Sequence, residues 1–210
     1  MKEVIKHWLI TDKGDPRALA LVDGYANCLI GRSGYGVPHY SRQKTGTRLF
    51  TRNGQNLVFI TAEGSAVWVS FRPTPGKAVR LDKRNCWECS LFRNESNYLS
   101  SDLIREAVRL TWALWGKPTP GGLITFIRPD KTAKRRSKRA QAGACYIHAG
   151  WLPDTPSSDG KPCLRAPSLT EIPLPFDWQF ARNRGGLLRN RLYNSRQYGL
   201  DYLYSGVLDR

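Results

Sequence analysis

Small polar residues cluster between a predicted strand and a predicted helix in WECSLFRNESNYLSSDLIREAVRLTW, which runs from Trp87 to Trp112. Backbone N–H groups at a helix N-terminus lack partners within the helix, and the helix dipole favours an anion beside them. Ordinary helix capping needs only one Ser or Asn and is the alternative interpretation. We predict a phosphate-binding turn formed by Arg93, Asn94, Ser96, Asn97, Ser100 and Ser101.

Side chains that could move a proton lie outside this polar turn. Tyr146 could donate a proton to a leaving group, and the alternative is a half-buried strand tyrosine. Glu88 could accept a proton from an attacking amine, and the alternative is a structural carboxylate paired with a nearby Arg. His39, Tyr40 and Ser41 follow a proline in a predicted loop, where polar groups can reach a substrate. We predict catalytic roles for all of these residues.

Histidine is scarce, with 3 residues in the sequence. His148 lies two residues after Tyr146, so on a strand the two side chains would project to the same face. A metal site is therefore a hypothesis. Its ligands would be His39 and His148, together with a tyrosine and a carboxylate such as Asp130.

Cysteine chemistry is a weaker hypothesis. The count of 5 is odd and no secretion signal precedes it, which argues against a disulfide framework. Cys86 and Cys89 have C-x-x-C spacing, but residues three apart on a strand face opposite sides.

The charge balance favours a polyanionic partner. Lys plus Arg number 33 and Asp plus Glu 17, for a formal net charge of +16, and a field of that sign attracts nucleic acid. Trp178, Tyr193 and Tyr198 in the C-terminal region could stack on a base; a solvated basic tail is the alternative. The residues predicted to contact DNA are Arg42, Lys131, Lys134, Arg135, Arg136, Lys138, Arg139, Arg182 and Arg184.

The predicted elements indicate an α+β fold with a mixed central sheet flanked by helices. Hydrophobic periodicity predicts helices at 15–30 and 101–115 and strands at 56–61, 65–71, 86–92, 123–127 and 144–151. Residues 153–175 are rich in Pro and Ser, which indicates a linker or an arm that lies along the surface. We therefore predict a catalytic domain over residues 1–152 and a basic, aromatic C-terminal extension over residues 153–210.

No apolar run approaches the ~20 residues that a membrane span needs. The N-terminal stretch MKEVIKHWLI has charges among its apolar residues, unlike a signal peptide. We expect a cytoplasmic protein with no membrane partner.

Two levels of resemblance extend these predictions. The order of hairpin, strand, polar turn, helix and strand, followed by Tyr146-Ile-His-Ala-Gly150-Trp151, resembles the GNAT acyltransferases. The segments HYSRQ (39–43), ECSLFRNESNYLSSDLI (88–104) and CYIHAGW (145–151) are similar to the Mom-like group of phage DNA-modification proteins. This resemblance covers roughly residues 15–152. The usual Arg/Gln-x-x-Gly-x-Gly/Ala signature is absent at 93–98, where other residues replace both glycines.

The resemblance implies a function. The turn before the central helix would hold the pyrophosphate of acetyl-CoA or a related acyl donor, and Tyr146 would protonate the departing thiolate. The acceptor would be the N6 amine of adenine in double-stranded DNA, in a bacterial host cell, with iron as an implied metal. Whether the chain forms a homodimer is left open. The alternatives are an acyltransferase acting on a small amine or a protein lysine, and a DNA-binding phage protein without catalysis.

Overall fold

A computed structural model describes residues 7–24, 38–39, 49–73, 85–116, 119–129 and 141–168. Within these ranges the chain forms seven strands and three helices. The strands are β1 (Trp8–Thr11), β2 (Gln55–Thr61), β3 (Ala66–Arg72), β4 (Trp87–Asn94), β5 (Leu123–Phe126), β6 (Leu152–Asp154) and β7 (Cys163–Arg165). The helices are α1 (Pro16–Asp23), α2 (Ser100–Trp115) and α3 (Ala144–His148).

All seven strands join in one mixed sheet with the order β1-β2-β3-β4-β5-β7-β6. Neighbours are antiparallel from β1 to β4, and the β5–β7 and β7–β6 pairs are antiparallel too. β4 and β5 are parallel. The predicted α+β class with a mixed sheet is therefore confirmed.

Helices cover both faces of the sheet. α2 and α3 pack on one face, in a cluster that includes Trp68, Cys89 and Tyr146. α1 packs in a second cluster with Val67 and Leu91. Val67 and Trp68 are neighbours on β3, so their side chains project to opposite faces, and the two clusters lie on the two sides of the sheet.

The predicted helix over residues 15–30 begins as expected and ends early. The Asp15 carboxylate caps it by accepting hydrogen bonds from the N–H groups of Arg17 and Ala18. Gly24 ends it in the left-handed conformation, with a φ of 86°. Residues 25–30 lie outside the described ranges.

The apolar face predicted for the second helix is confirmed, because Leu103, Ile104, Ala107, Val108 and Trp112 are all buried in α2. The predicted hairpin is confirmed as β2 and β3, whose turn is closed by a 2.8 Å hydrogen bond from Gly64 N to Thr61 O.

The predicted strand over residues 144–151 is wrong. Residues 144–148 form helix α3, with hydrogen bonds from Ile147 N to Gly143 O at 3.2 Å and from Ala149 N to Cys145 O at 3.1 Å. Tyr146 and Ala149 are buried while Ile147 is exposed. That burial follows helical spacing, and it overrides the alternation read from the sequence.

Part of the region interpreted as a linker or surface arm forms strands. β6 and β7 form a hairpin, and β7 pairs with β5, so the sheet continues past residue 152 to Arg165. Cys163 and Leu164 are buried, and Arg165 forms a cross-strand ion pair with Asp154 at 2.8 Å. These strands are three residues long, which is too short for the alternation test used on the sequence. Within the described ranges, no helix has the length and apolar character needed to cross a membrane.

Gly121 packs against the backbone just before β4. A Cβ atom at this position would lie 2.3 Å from Asn85 O, an oxygen to which Gly121 N already donates at 3.0 Å. Gly121→Ala therefore forces the backbone to move, and we expect it to lower the free energy of unfolding by about 2–3 kcal/mol. Urea unfolding followed by tryptophan fluorescence measures the loss.

Gly160→Ala is the control for that variant, because a Cβ there meets nothing within 4 Å. It should cost only the roughly 1 kcal/mol of placing alanine in the left-handed region. Equal losses in both variants would contradict the steric argument at Gly121.

Candidate active site where two strands diverge

β4 and β5 lie side by side only at their first residues. Trp87 pairs with Leu123 and Glu88 with Ile124, and these are the only register pairs between the two strands, each of which is described along its whole length. At the next position the Cys89 carbonyl accepts a hydrogen bond from the Thr125 hydroxyl at 3.1 Å. β4 stays paired with β3 as far as Asn94. The later part of β4 therefore has no β5 partner along one edge.

A bulge in β4 accompanies this divergence. Val69 pairs with Leu91 and Ser70 with Cys89, so Ser90 is the extra residue on β4. A bulge bends its strand and increases the local twist, and this one lies just beyond the last β4–β5 pair.

His39 reaches the divergence from the α1 side. Its N–H donates to Val22 O at 2.7 Å, which ties it to the last turn of α1. Its Nε2 lies 3.2 Å from Phe92 O, in the part of β4 that pairs with β3 but not with β5. A carbonyl can only accept, so Nε2 carries the hydrogen and the lone pair of neutral His39 is on Nδ1.

Tyr146 reaches the same part of β4 from the opposite face. Its side chain is buried in the α2 and α3 cluster, and its ring packs edge-on against Phe92 with centroids 6.1 Å apart. Trp151 supports the other side of the ring at 5.0 Å. His39 and Tyr146 lie 107 positions apart in the sequence, yet both contact Phe92.

The Tyr146 hydroxyl lies 3.4 Å from the Cys89 Sγ. Burial raises the pKa of the Cys89 thiol far above its ordinary value, although a hydrogen bond from Tyr146 acts in the opposite direction. The thiol is therefore protonated at neutral pH. The sequence indicates Cys89 only through its C-x-x-C spacing with Cys86.

The side chains of the predicted phosphate-binding turn hydrogen-bond largely to one another. Asn94 Nδ2 donates to Tyr98 O and to Ser100 Oγ, both at 2.9 Å. Ser96 donates from its N–H and its hydroxyl to Asn94 Oδ1, at 2.9 and 2.6 Å. These bonds fix the shape of the turn, while Asn97 is exposed and Ser101 is half-buried.

Arg93 is buried rather than directed to solvent. It is 6% exposed, and its Nε donates to Glu95 Oε1 at 2.5 Å within an ion pair. Its charge therefore has a partner inside the protein. Contact between Arg93 and a bound anion stays a prediction, and the structure supplies this competing role for it.

The N-terminus of α2 has no side-chain cap. Leu99 occupies the N-cap position, where Ser, Thr, Asp and Asn are preferred, and it is 68% exposed. The first intrahelical bonds are made by Asp102 and Leu103, whose N–H groups both donate to Leu99 O. The earlier N–H groups, those of Ser100 and Ser101, point along the helix axis beyond its exposed first turn.

Glu88 lies at the other end of β4. Its carboxylate receives two hydrogen bonds from the Arg52 guanidinium, both at 2.9 Å, and its side chain is 6% exposed. Arg52 in turn lies over the Phe71 ring at 5.6 Å. This geometry matches the structural alternative for Glu88, and its assignment as a catalytic base stays a prediction.

Arg52→Leu should leave the Glu88 carboxylate buried without its bidentate partner. We expect a loss of about 2–3 kcal/mol in the free energy of unfolding, below the range for fully buried pairs because Arg52 is 42% exposed. The double variant Arg52→Leu/Glu88→Gln should recover part of the loss, since a neutral amide needs no counter-charge.

Lys161→Met is the control, because its pair with Asp159 is exposed and should contribute little to stability. If the double variant is less stable than Arg52→Leu, then the charge of Glu88 is not the cause of the loss.

The described residues do not by themselves make a metal site. Among them, no group of three or more His, Cys, Asp or Glu side chains could hold a metal ion. His148 is exposed on α3, and residues two apart on a helix point in different directions, so it does not share a face with Tyr146 as predicted. Tyr40 and Asp130 lie outside the described ranges, and iron stays a prediction that depends on them.

All of the predicted DNA-contacting residues and two of the catalytic candidates also fall outside the described ranges. They are Tyr40, Ser41, Arg42, Lys131, Lys134, Arg135, Arg136, Lys138, Arg139, Arg182 and Arg184.

Comparison of the chain with models of known protein families, with curated proteins and with solved structures gave no match.

Proposed function

We propose that the chain is a GNAT-like transferase of the Mom-like kind, which moves an acyl-derived group from a coenzyme A thioester to the N6 amine of adenine in DNA. The observation that carries this proposal is that His39 contacts the Phe92 carbonyl and Tyr146 contacts the Phe92 ring, where β4 has left β5.

The separation of β4 from β5 supports the binding of an extended donor molecule that carries amide groups. A strand edge without a neighbouring strand offers main-chain donors and acceptors to a ligand that lies along it, as in strand addition. Among the residues that the structure describes, the segment of β4 from Leu91 to Asn94 has such an edge on the β5 side, where Phe92 O already accepts from His39. The pantetheine arm of coenzyme A is extended and carries two amides, so it suits this edge.

The first turn of α2 supports binding of the phosphate end of the same donor. β4 leads through the polar turn into α2, so an arm lying along β4 runs toward the N-terminus of that helix. The helix dipole and the N–H groups there favour a pyrophosphate. The absence of a side-chain cap at Leu99 leaves these groups to a ligand.

His39 and Tyr146 then have complementary roles. As the adenine amine attacks the acyl carbon, the C–S bond breaks and the departing thiolate takes the proton of the Tyr146 hydroxyl. The amine loses a proton as the new bond forms, and His39 accepts it at Nδ1, because Nε2 already carries a hydrogen toward Phe92 O. One group gives a proton and the other takes one, so the charges balance.

The distribution of charge supports a polyanionic acceptor. The described residues hold ten Lys or Arg and ten Asp or Glu, so the whole formal net charge of +16 comes from the rest of the chain. Those remaining segments include 40–48, which follow His39 directly, and 130–140, which follow β5 by three residues. The segments outside the described ranges contain the residues predicted to contact DNA. For an adenine within a duplex to react, it would have to be flipped out of the base stack.

Nucleoside analysis tests the proposal. Plasmid DNA from cells producing the protein would be digested to nucleosides and analysed by mass spectrometry, beside DNA from cells producing Tyr146→Phe. A modified deoxyadenosine that depends on the protein is the expected result. A DNA-binding protein without a modified nucleoside would favour the non-enzymatic alternative.

The small-amine and protein-lysine alternatives are tested with the purified protein. Acetyl-CoA turnover is measured with duplex DNA, with spermidine and with a lysine peptide. Turnover with either amine but not with DNA would replace adenine as the acceptor.

A further inference from the structure

Cys89 and Tyr146 form a buried thiol–phenol pair that the roles assigned above do not explain. The two polar atoms are 3.4 Å apart, and both side chains are less than a tenth exposed. Cys89 lies on the strand edge where β4 leaves β5, with its carbonyl bound to Thr125. The pair is therefore built into the candidate site.

The hydrogen-bond direction in the resting pair follows from the surroundings of the sulfur. Cys89 Sγ is also 3.8 Å from Leu91 O, which can only accept. With a protonated thiol, the S–H points to Leu91 O and the Tyr146 hydroxyl donates to the sulfur. The Tyr146 hydroxyl thus already faces a sulfur acceptor, the same element that leaves from a thioester.

The pair has a second arrangement once Tyr146 has lost its proton. Rotation about the Cys89 Cβ–Sγ bond lets the S–H leave the long contact to Leu91 O and donate to the phenolate oxygen. A hydrogen bond to a charged acceptor is stronger than one to a neutral acceptor. The thiol therefore stabilises the tyrosinate more than the neutral tyrosine.

We propose that Cys89 is a positioning residue that orients the Tyr146 hydroxyl and stabilises the tyrosinate left when Tyr146 has protonated the departing thiolate. In that step the Tyr146 O–H bond breaks, the S–H bond of the released thiol forms, and Cys89 donates to the tyrosinate until water reprotonates it. The catalytic part of this inference rests on the proposed function, whereas the effect on Tyr146 ionisation does not.

The decisive measurement is the ionisation of Tyr146 itself. The near-ultraviolet absorbance of phenolate is followed against pH in the full chain, and the same titration of Tyr146→Phe is subtracted to isolate Tyr146. We expect Cys89→Ala to move the midpoint of this titration to higher pH than in the unmodified protein. Cys89→Ser, which keeps a donor of similar size, should return the midpoint toward the original value.

Cys86→Ala is the matched control, since Cys86 is also a buried thiol but packs with Ile124 and Cys163 away from Tyr146. It should leave the Tyr146 midpoint unchanged. An unchanged midpoint in Cys89→Ala, or an equal shift in Cys86→Ala, would overturn the proposal. If Cys89→Ala does not fold, Cys89→Ser is compared with Cys89→Val instead. Identical Tyr146 midpoints in these two variants would also overturn the proposal.

Activity separates this inference from the function on which it depends. With a working transferase we expect Cys89→Ala to lower kcat about tenfold while the donor KM stays within twofold, and Cys89→Ser to recover most of kcat. A midpoint shift without any transferase activity would reject the proposed function and keep the coupling of the two residues. Full activity in Cys89→Ala would reject the positioning role and keep the proposed function.

Discussion

If the chain is the proposed transferase, we expect Tyr146→Phe to lower kcat for transfer to DNA by about 10²- to 10⁴-fold, the range typical of losing a general acid. The reason is geometric, because the hydroxyl is the only atom removed while the ring keeps its edge-on contacts to Phe92 and Trp151. The thiolate must then leave unprotonated. Rapid-quench kinetics with a purified duplex and acetyl-CoA measure kcat, and the donor KM should change little.

Tyr98→Phe is the matched control for that loss. It also removes one tyrosine hydroxyl, but that hydroxyl donates to Glu63 on the surface at 2.9 Å, outside the aromatic cluster. We expect kcat to stay within twofold. If Tyr146→Phe retains full activity, then the proton comes from another group and the assignment of Tyr146 is wrong.

The pH profile gives a second view of the same step. A general acid works while it is protonated, so kcat should fall at high pH as Tyr146 ionises, and this descending limb should be absent from Tyr146→Phe. A descending limb that persists in Tyr146→Phe would belong to a different group.

Local sequence patterns predicted the elements that bury a continuous apolar face. The period of 3.6 in α2 and the Gly-closed hairpin of β2 and β3 are set by residues close together in the chain, so a single sequence shows them. In these elements the hydrophobic pattern and the residues at the turns or helix ends predict the same structure. The strand β4 and the turn into α2 follow from the same signals.

The elements that were missed depend on distant contacts. Helix α3 is five residues long, too short to show a period, and only the packing of Tyr146 on Phe92 and Trp151 indicates which residues it buries. The β6–β7 hairpin is held by pairing with β5, which lies about 40 residues earlier in the sequence. Neither signal exists in the local sequence.

The candidate site likewise combines features that the local sequence shows with features that depend on distant contacts. The polar turn before α2 and the residues His39 and Tyr146 were recognisable by type. The partners that decide what they do were not, because Arg52 lies 36 positions from Glu88 and Cys89 lies 57 positions from Tyr146. Residue type and local position therefore suggested the candidate groups, while their surroundings are formed by residues that are distant in the sequence.

Leu99→Asp tests whether the first turn of α2 receives an anion, because it should change stability and donor binding in opposite directions. Asp at the N-cap accepts from the N–H groups of the first turn and complements the helix dipole, so we expect the free energy of unfolding to rise by about 1 kcal/mol. The same carboxylate would repel the pyrophosphate of coenzyme A across several ångströms, and we expect the Kd for coenzyme A to rise about tenfold.

Leu99→Asn separates the two causes of that loss. Asn also caps the helix and removes the exposed leucine, but it adds no charge, so it only competes for the N–H groups and should weaken donor binding by a few fold. The difference between Asp and Asn is then the charge repulsion, and it should shrink in high salt because the site is exposed. Calorimetric titration of coenzyme A at two salt concentrations measures this. Equal Kd values for the Asp and Asn variants at low salt would mean that no phosphate lies at this helix end, and the donor would then have to bind elsewhere.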